Sequence, residues 1–572
     1  MSVKSLPDLL CLRAGENPAG DAILVEGRDA LTYGQWHLRA RALASRLALL
    51  GVRPGDRVGL QFSERDWPEF AVAYCGAQLA GAVAVPLSDR LAPAELAYML
   101  GDCEAAAVLH STGLRQPAGP WWTATLTEED ELDATGGADL VERGGVHGIP
   151  TRHGAREIPT SDGPRGMLTS DGVPESAACG GAAEAATRDD APERAARGGA
   201  AEAASRDRTP EWASREDAPE VAIRGGDPAQ ILYTSGTTGR PKGVVATHAN
   251  LVHGAETRPR RRRFGHSQLL LHAFPIGTNA AQLMLFNALD AHPAVLTPAR
   301  FTPGRFARLI GTRPVGTVFL VPSMAIELLD SGLHERYDFS GVRLLGSAAA
   351  ALPPAVARRL AQAFPNAAIV NYYTSTEAAP AQTIMMYDPA RPGALGRPAA
   401  GSALRILTED GAPAATDEVG EVWLRSAAAS RAYLGEGASP TFRDGWVRMG
   451  DLGRLDADGY LYLVDRESDV VKSGAFKVST LQVESALHEH PDIAEAAVFG
   501  LPHPVLGTVL AAAVVPRRDA TLSPTSIRAF LLDRIATHEL PARVAVLESL
   551  PKNTSGKVLK RRLPELLDSS RS

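Results

Sequence analysis

The feature that most constrains the fold of this chain is a low-complexity stretch, residues 127–226, between two segments of ordinary globular composition. Ala, Gly, Arg, Glu and Asp dominate it, and large apolar side chains are few. So little apolar surface cannot offset the conformational entropy lost on folding. The run GGAAEAATRD at residues 180–189 nearly recurs as GGAAEAASRD at 198–207, which is typical of a duplication rather than a solenoid. We predict a disordered insertion that the rest of the protein does not require.

Both flanking segments alternate patterns of helix and strand. Residues 36–50 have helical spacing and residues 57–62 have the pattern of a strand. Beyond the insertion, residues 317–322 and 367–373 are typical of further strands. Such alternation indicates layers of helix packed on sheet.

Strand patterns lie closer together around residues 403–425 and 460–465, which indicates a β-rich subdomain. A helix beginning near Ser479 and a strand at 496–500 indicate a second, smaller domain after residue 466. A chain of 572 residues exceeds what one core usually supports.

The fold class predicted is therefore α/β, with two domains of unequal size. The large N-terminal domain comprises residues 1–126 and 227–466 and has two mixed α/β layers plus the β-rich subdomain. The small α+β C-terminal domain comprises residues 467–572.

Charge and cysteine content exclude several classes of function. Lys and Arg number 59 against 66 Asp and Glu, so no basic excess favours nucleic acid as a partner. The 4 cysteines show neither metal-ligand spacing nor a disulfide framework. The N-terminus has no secretory pattern, and no run of about 18 apolar residues predicts a membrane span. We expect a cytoplasmic protein.

A glycine- and hydroxyl-rich loop follows the strand pattern ILY at residues 231–233. Glycine amides, hydroxyls and one ammonium are the groups that bind a polyphosphate, and they are supplied here by Thr234, Ser235, Gly236, Thr237, Thr238, Gly239 and Lys242. The Walker pattern is absent, so an ordinary P-loop NTPase is a poor fit. A structural turn is the alternative.

The run YTSGTTGRPKG resembles the phosphate loop of the adenylate-forming superfamily, which includes acyl-CoA synthetases, peptide-synthetase adenylation domains and luciferases. Further motifs of that superfamily follow in order: NYYTSTE at 371–377, GWVRMGDLGRLDADGYLYLVDR at 445–466, and LPKNTSGKVLKRRL at 550–563. The resemblance covers nearly the whole chain apart from the insertion.

The resemblance implies a role for individual residues. Tyr373 would lie beside adenine, Thr376 would contact phosphate and Glu377 would bind Mg2+, although a lone glutamate is more often a surface charge. Thr374 stands where the family usually has glycine. The remaining nucleotide contacts would be Gly346, Asp451, which would accept both ribose hydroxyls, and Arg466. Lys557 would be catalytic, because an ammonium stabilises the negative charge that develops as pyrophosphate leaves.

The resemblance also implies the reaction. A carboxylic acid attacks the α-phosphate of Mg-ATP, an acyl-adenylate forms, and a mobile C-terminal domain then admits coenzyme A or the phosphopantetheine of a carrier protein. Ser468 replaces the usual pivot residue and Ala475 a glycine that lines the thiol tunnel, so transfer to an amine, or activation of nitrite, stays open. A catalytically inactive nucleotide-binding module is the alternative from another class.

Clues to the acid come from residues 274–283, FPIGTNAAQL. Asn279 stands where amino-acid-activating relatives have an aspartate that holds the α-ammonium, and a neutral amide cannot supply that charge. With Thr278 and Ala348 as further pocket residues, the segment looks more like that of aryl-acid activators. An asparagine that only caps a turn is the alternative, and medium-chain fatty acids are the second candidate substrate.

A cluster of arginines, Arg258 and Arg260 to Arg263, could meet the 3'-phosphate of coenzyme A or an acidic carrier protein. Its alternative is an ordinary solvent-exposed charged surface.

Overall fold

The structure is a computed structural model. It describes residues 3–114, 117–126, 132–135, 221–234, 240–435, 439–466, 471–473, 476–503, 507–518, 520–553 and 557–569. Most of the predicted insertion therefore lies outside the described residues.

The first sheet has nine strands and is parallel at its centre, with antiparallel strands at both edges. Alternate residues of its strands face different cores, as Phe319 and Val318 do. In spatial order the strands are β16 (Arg397–Pro398), β15 (Thr383–Met386), β14 (Ala368–Tyr373), β13 (Leu344–Ser347), β12 (Val315–Leu320), β10 (Leu269–Leu271), β11 (Ala294–Thr297), β1 (Asp21–Val25) and β2 (Leu31–Thr32).

The second sheet has eight strands and the same plan of a parallel centre with antiparallel edges. Every residue of its strand at 83–88 is buried, as expected where helices cover both faces of a parallel sheet. In spatial order the strands are β19 (Ala432–Tyr433), β9 (Lys242–Thr247), β8 (Pro228–Thr234), β4 (Val83–Ser88), β3 (Arg57–Phe62), β5 (Ala107–His110), β6 (Trp122–Leu126) and β7 (Leu132–Thr135).

Helices with well-defined starts connect these strands. Thr32 caps the second helix in a reciprocal capping box with Gln35, and Pro occupies the first turn of several others. The helices are α1 (Leu6–Glu16), α2 (Tyr33–Leu49), α3 (Trp67–Leu79), α4 (Pro93–Asp102), α5 (His248–Leu251), α6 (Asn279–Asp290), α7 (Pro303–Thr312), α8 (Pro322–Asp330) and α9 (Pro354–Ala363).

The β-rich subdomain predicted around residues 403–465 is confirmed as a five-stranded antiparallel sheet. Leu424 belongs to one of its two small apolar cores, and Val422, two residues earlier on the same face of that strand, belongs to the other. The strands are β17 (Ser402–Leu407), β18 (Gly420–Ser426), β20 (Phe442–Arg443), β21 (Trp446–Leu455) and β22 (Leu461–Arg466).

The C-terminal residues build a separate five-stranded sheet with its own apolar clusters. Ser479 caps the first of its helices as predicted, accepting a hydrogen bond from the amide of Gln482, whereas the Gln482 side chain donates to Glu539 instead of completing a capping box. The elements are β23 (Val471–Ser473), β24 (Phe476–Val478), α10 (Thr480–Leu487), β25 (Ile493–His503), β26 (Gly507–Pro516), α11 (Pro524–Leu532), β27 (Arg543–Val546) and α12 (Leu563–Ser569).

The prediction of a disordered insertion is wrong for one short segment. Leu132–Thr135 form β7, which pairs antiparallel with β6, so ordered structure continues past residue 126. The average composition of residues 127–226 does not predict this strand. Its four residues lie on a sheet edge and are held by backbone hydrogen bonds to the neighbouring strand β6, so they need no apolar core of their own. Within the part of the chain that the structure describes, none of the helices has the length and apolar character of a membrane span.

Candidate active site

Ends of parallel strands from both large sheets supply the candidate site. Thr234 ends β8, Ser347 ends β13 and Tyr373 ends β14, and the carboxyl ends of parallel strands are where α/β proteins place their ligands. After Tyr373 the chain turns sharply: the hydroxyl of Thr374 donates to the carbonyl of Ala381 at 2.6 Å. Threonine in place of the family glycine thus closes the turn that carries Thr376 and Glu377.

Glu377 is the centre of a polar cluster. Its Oε1 accepts hydrogen bonds from the hydroxyl of Thr234 at 3.1 Å and from that of Tyr433 at 3.3 Å. The Nζ of Lys242 lies 4.7 Å from the centroid of the Tyr433 ring. Three predicted site residues, Thr234, Lys242 and Glu377, are therefore brought together, and the half-buried carboxylate has the oxygen chemistry that a Mg2+ ion prefers.

A buried arginine lies close to Glu377 and binds the residue before it. Arg431 precedes β19 and is 7% exposed, and burial lowers the pKa of its guanidinium to about 10, opposed by the charges of Tyr74 and Glu377. Nη1 donates to the backbone carbonyl of Thr376 at 2.8 Å and to Oδ1 of Asn279 at 3.1 Å. Nε donates to Oδ1 of Asn250 at 2.9 Å.

Two nucleotide residues predicted from the sequence meet beside β14. The hydroxyl of Tyr373 donates to Oδ2 of the buried Asp451 at 2.6 Å. Arg466 lies opposite Asp451 in the pairing of β21 with β22, although its side chain is outside the described part. Asp451 and Arg466 are therefore neighbours in the β-rich sheet, and Tyr373 contacts Asp451 from the end of β14 in the nine-stranded sheet.

Gly346 faces two aromatic rings. Phe319 and Tyr372 stack with their centroids 5.8 Å apart, and a Cβ at position 346 would lie 2.5 Å from Phe319 and 3.1 Å from Tyr372. Only glycine therefore fits between them. Burial raises the pKa of Tyr372 to about 12. Ala348, a predicted pocket residue, lies in the loop that follows β13, where its amide donates to the carbonyl of Leu320.

Thr278 and Asn279 begin helix α6 and have different tasks. The Thr278 hydroxyl caps the helix by accepting from the amide of Ala281 at 3.1 Å. Asn279 is the first helical residue, and its side chain binds Arg431 rather than the helix end. The sequence left open that Asn279 only caps a turn. In the structure the capping residue is Thr278.

Lys557 lies on the C-terminal tail. It is exposed, its amide donates to Oδ1 of Asn553 at 2.8 Å, and its carbonyl accepts from the amide of Asn553. Three residues later, Lys560 is anchored to Glu484 and to the hydroxyl of Thr480, which fixes the end of the tail on α10.

Several predicted residues lie outside the described part of the chain: Ser235 to Gly239 of the phosphate loop, Ser468 at the expected pivot and Ala475 at the expected thiol tunnel. Their roles stay predictions.

Part of the arginine cluster is neutralised within the fold. Arg258 pairs with Glu256, Arg262 with Glu16, and Arg263 with Asp290. Arg260 and Arg261 are exposed, so a binding surface for a phosphate would be smaller than the sequence suggested.

Sequence reasoning missed Arg431 and Tyr433 at this site, and also Asn371, which lies on β14 two residues before Tyr373. The Oδ1 of Asn371 is buried without a hydrogen-bond partner, and the residue lines a cavity of about 30 Å³ together with Ile369 and Tyr387. Arg431 and Tyr433 flank one alanine in an Ala- and Ser-rich stretch. The sequence hint to their role was that two large side chains, one of them charged, stand among small residues.

Comparison with known proteins assigns the family. The profile for "AMP-binding enzyme" matches residues 12–434, and that for "AMP-binding enzyme C-terminal domain" matches residues 482–557. The chain belongs to the AMP-binding enzyme family. The predicted family is thereby confirmed. The CoA ligases and the solved structure described next confirm the predicted class of enzyme, an acyl-CoA synthetase-like ligase that uses ATP, and the fold of a large and a small domain.

Individual relatives of this AMP-binding enzyme cover almost its full length. An oxalate–CoA ligase from Arabidopsis thaliana is 28% identical over 98% of both chains. A feruloyl-CoA synthase from an Amycolatopsis species is 28% identical over 96% of both. The crystal structure of ATP-bound MatB from Rhodopseudomonas palustris is 25% identical, with a TM-score of 0.74 over 98% of this chain and 100% of that one.

Proposed function

We propose that this AMP-binding enzyme activates a carboxylic acid without an α-amino group, forming an acyl-adenylate from Mg-ATP, and transfers the acyl group to coenzyme A. The observation that carries the proposal is the cluster in which Thr234 and Tyr433 donate to Glu377 while Lys242 lies over the Tyr433 ring. A phosphate-binding strand end and a carboxylate suited to a hard cation thus share one cluster.

Glu377 is the residue that would hold Mg2+, since its Oε1 is fixed by two hydroxyl donors while the carboxylate remains half-buried. When bound, the ion neutralises phosphate oxygens and supports the departure of pyrophosphate. Lys242 supplies a second positive charge beside the same cluster.

Nucleotide specificity rests on Asn371, Tyr373 and Asp451. The unpaired amide oxygen of Asn371 can accept a hydrogen bond from the amino group of adenine. The Tyr373 ring offers a face for the base, and Asp451 can accept from ribose hydroxyls. Because the Tyr373 hydroxyl is bonded to Asp451, base and ribose contacts are held in one orientation.

The charge around Asn279 supports a substrate without an ammonium group. Arg431 is cationic and donates to the Asn279 side chain, so an α-ammonium there would meet a like charge in a buried site. Oxalate and a feruloyl acid, which the names of two relatives specify, both lack that group. An aromatic acid is the preferred candidate because residues 274–283 look like the corresponding segment of aryl-acid activators.

The first test is ATP–pyrophosphate exchange with a panel that contains benzoates, oxalate, octanoate and amino acids. We expect exchange with a benzoate-type acid and none with α-amino acids. A preference for octanoate would overturn the aryl proposal. Normal ATP affinity without exchange for any acid would instead support the inactive nucleotide-binding module.

The acceptor is tested at Ala475. If its methyl group narrows the path of the thiol, Ala475→Gly raises formation of the coenzyme A thioester and leaves pyrophosphate exchange unchanged. Equal turnover of coenzyme A by both forms would mean that the methyl group does not obstruct the thiol. The unusual pivot residue, Ser468, would then be the remaining reason to doubt thioester formation. Exchange without any thioester would favour a carrier protein or an amine as acceptor.

A further inference from the structure

Arg431 stands out among the buried charged groups because two of its contacts go to Asn279 and Thr376, which the proposed function assigns to the acid pocket and the phosphate site. Its guanidinium reaches three separate segments: Asn250 in α5, Asn279 at the start of α6, and Thr376 in the loop before Glu377. Its pKa of about 10 lies well above neutral pH, so the group stays charged at pH 7.

One nitrogen of that guanidinium serves two sites. Nη1 binds Oδ1 of Asn279, which belongs to the proposed acid pocket, and the carbonyl of Thr376, which adjoins the proposed metal ligand. Movement of either acceptor therefore changes the geometry of the other bond.

Asn250 fixes the position of the Arg431 guanidinium. Its Oδ1 accepts from Nε of Arg431, while its Nδ2 donates to the carbonyls of Ala379 and Ala429 at 3.2 and 2.9 Å. Both carbonyls belong to the loops that lead away from Glu377 and toward Arg431. The Nε of Arg431 is thus fixed by Asn250, and its Nη1 binds Asn279 and Thr376.

We propose that Arg431 is a positioning residue that couples the acid pocket to the nucleotide site through Asn279 and Thr376. The inference rests on the proposed function for the identity of the two pockets. It predicts that acid and nucleotide bind cooperatively, and that this cooperativity passes through the guanidinium. A planar fork can bind both acceptors in fixed directions, whereas a lysine ammonium cannot reproduce that geometry.

The test measures binding rather than turnover. Calorimetry gives the Kd of benzoate, or of the best acid from the exchange panel, with and without a non-cleavable α,β-methylene analogue of Mg-ATP. For the wild type we expect the analogue to tighten acid binding about tenfold, within the usual range of coupling between sites. In Arg431→Lys the ratio should fall below about twofold while the analogue binds within about threefold of wild type.

Arg13→Lys is the matched control. Arg13 is 1% exposed and bonds the carbonyls of Leu289 and Glu256, so its replacement should lower the melting temperature and keep the tenfold coupling. Asn279→Ala removes one acceptor while Arg431 remains, and it should also abolish the coupling. This second variant decides the matter if Arg431→Lys fails to fold.

Tenfold coupling retained in Arg431→Lys or in Asn279→Ala would overturn the inference, as would a wild type that binds acid and analogue independently. Failure of the proposed function has a different signature, because coupled binding without pyrophosphate exchange for any acid would contradict the chemistry and leave the positioning role supported.

Discussion

The hydroxyl of Thr234 donates a hydrogen bond of 3.1 Å to Oε1 of Glu377, across 143 positions of sequence. Thr234 ends a strand of the eight-stranded sheet, whereas Glu377 follows a strand of the nine-stranded sheet. This bond therefore joins the phosphate-loop side of the site to the carboxylate side, and the two large sheets both contribute to the candidate active site.

Glu377→Gln keeps the shape of this side chain and removes its charge. We expect pyrophosphate exchange to fall by about 100- to 1,000-fold, because the carboxylate is the proposed ligand of the ion that neutralises phosphate. Thr234→Val keeps the carboxylate but removes the hydroxyl that bonds Glu377 and is predicted to contact phosphate, and it should cost about tenfold. Exchange is measured over a range of Mg2+ concentrations. A Gln variant that exchanges at the wild-type rate would exclude Glu377 from the metal site.

Lys557→Ala tests the proposed catalytic lysine of the C-terminal tail. Exchange should fall by about a thousandfold, since an ammonium would stabilise the departing pyrophosphate, while the melting temperature stays nearly constant because the side chain is exposed. Lys552→Ala is the control: Lys552 is in the same tail and pairs with Glu495 at 2.8 Å, so exchange should persist. Equal loss in both variants would point to a general effect of the tail's charge.

His272 makes the stability of the protein depend on pH. Complete burial lowers the pKa of this imidazole to about 3, so below about pH 6.5 the unfolded chain binds a proton that the folded chain excludes. Its contribution to stability is full above pH 6.5 and is lost as pH falls toward 3, by about 1.4 kcal/mol per pH unit.

His272→Asn keeps an acceptor for the amide of Phe274, which bonds the imidazole Nδ1 at 3.0 Å, and has no titrating group. The slope of unfolding free energy against pH, measured by urea denaturation between pH 4.5 and 6.5, should be shallower in this variant. Parallel curves for the two proteins would show that His272 is protonated in the folded state.

Two deletions locate the boundary of the insertion. Removal of residues 136–220 should leave the melting temperature within about 2 °C of wild type, because that stretch has too few apolar groups to build a core. Removal of 127–226 also takes away β7 and should lower the melting temperature, since β6 then loses its edge partner. Exchange activity is measured for both. Collapse of the first deletion protein would reveal a folded element there.

Local sequence was enough to predict many elements of the fold. The strand at 57–62 has the predicted bounds, and the strand predicted at 367–373 begins one residue later, at Ala368. Hydrophobic alternation and helix caps act between neighbours in the chain, so they can be read from sequence. The predicted helix at 36–50 begins earlier, at Tyr33, because Thr32 and Gln35 form the capping box.

The sequence by itself determined the family, the α/β class and the order of the four motifs, since these depend on residue type and spacing along the chain. Only the tertiary structure decided that Asn279 binds Arg431 while Thr278 caps the helix, and that Tyr433 bonds Glu377. Tyr433 reaches that carboxylate because β19 pairs with β9, whose first residue is Lys242. Contacts between distant segments follow from strand pairing and burial, and no local pattern encodes them.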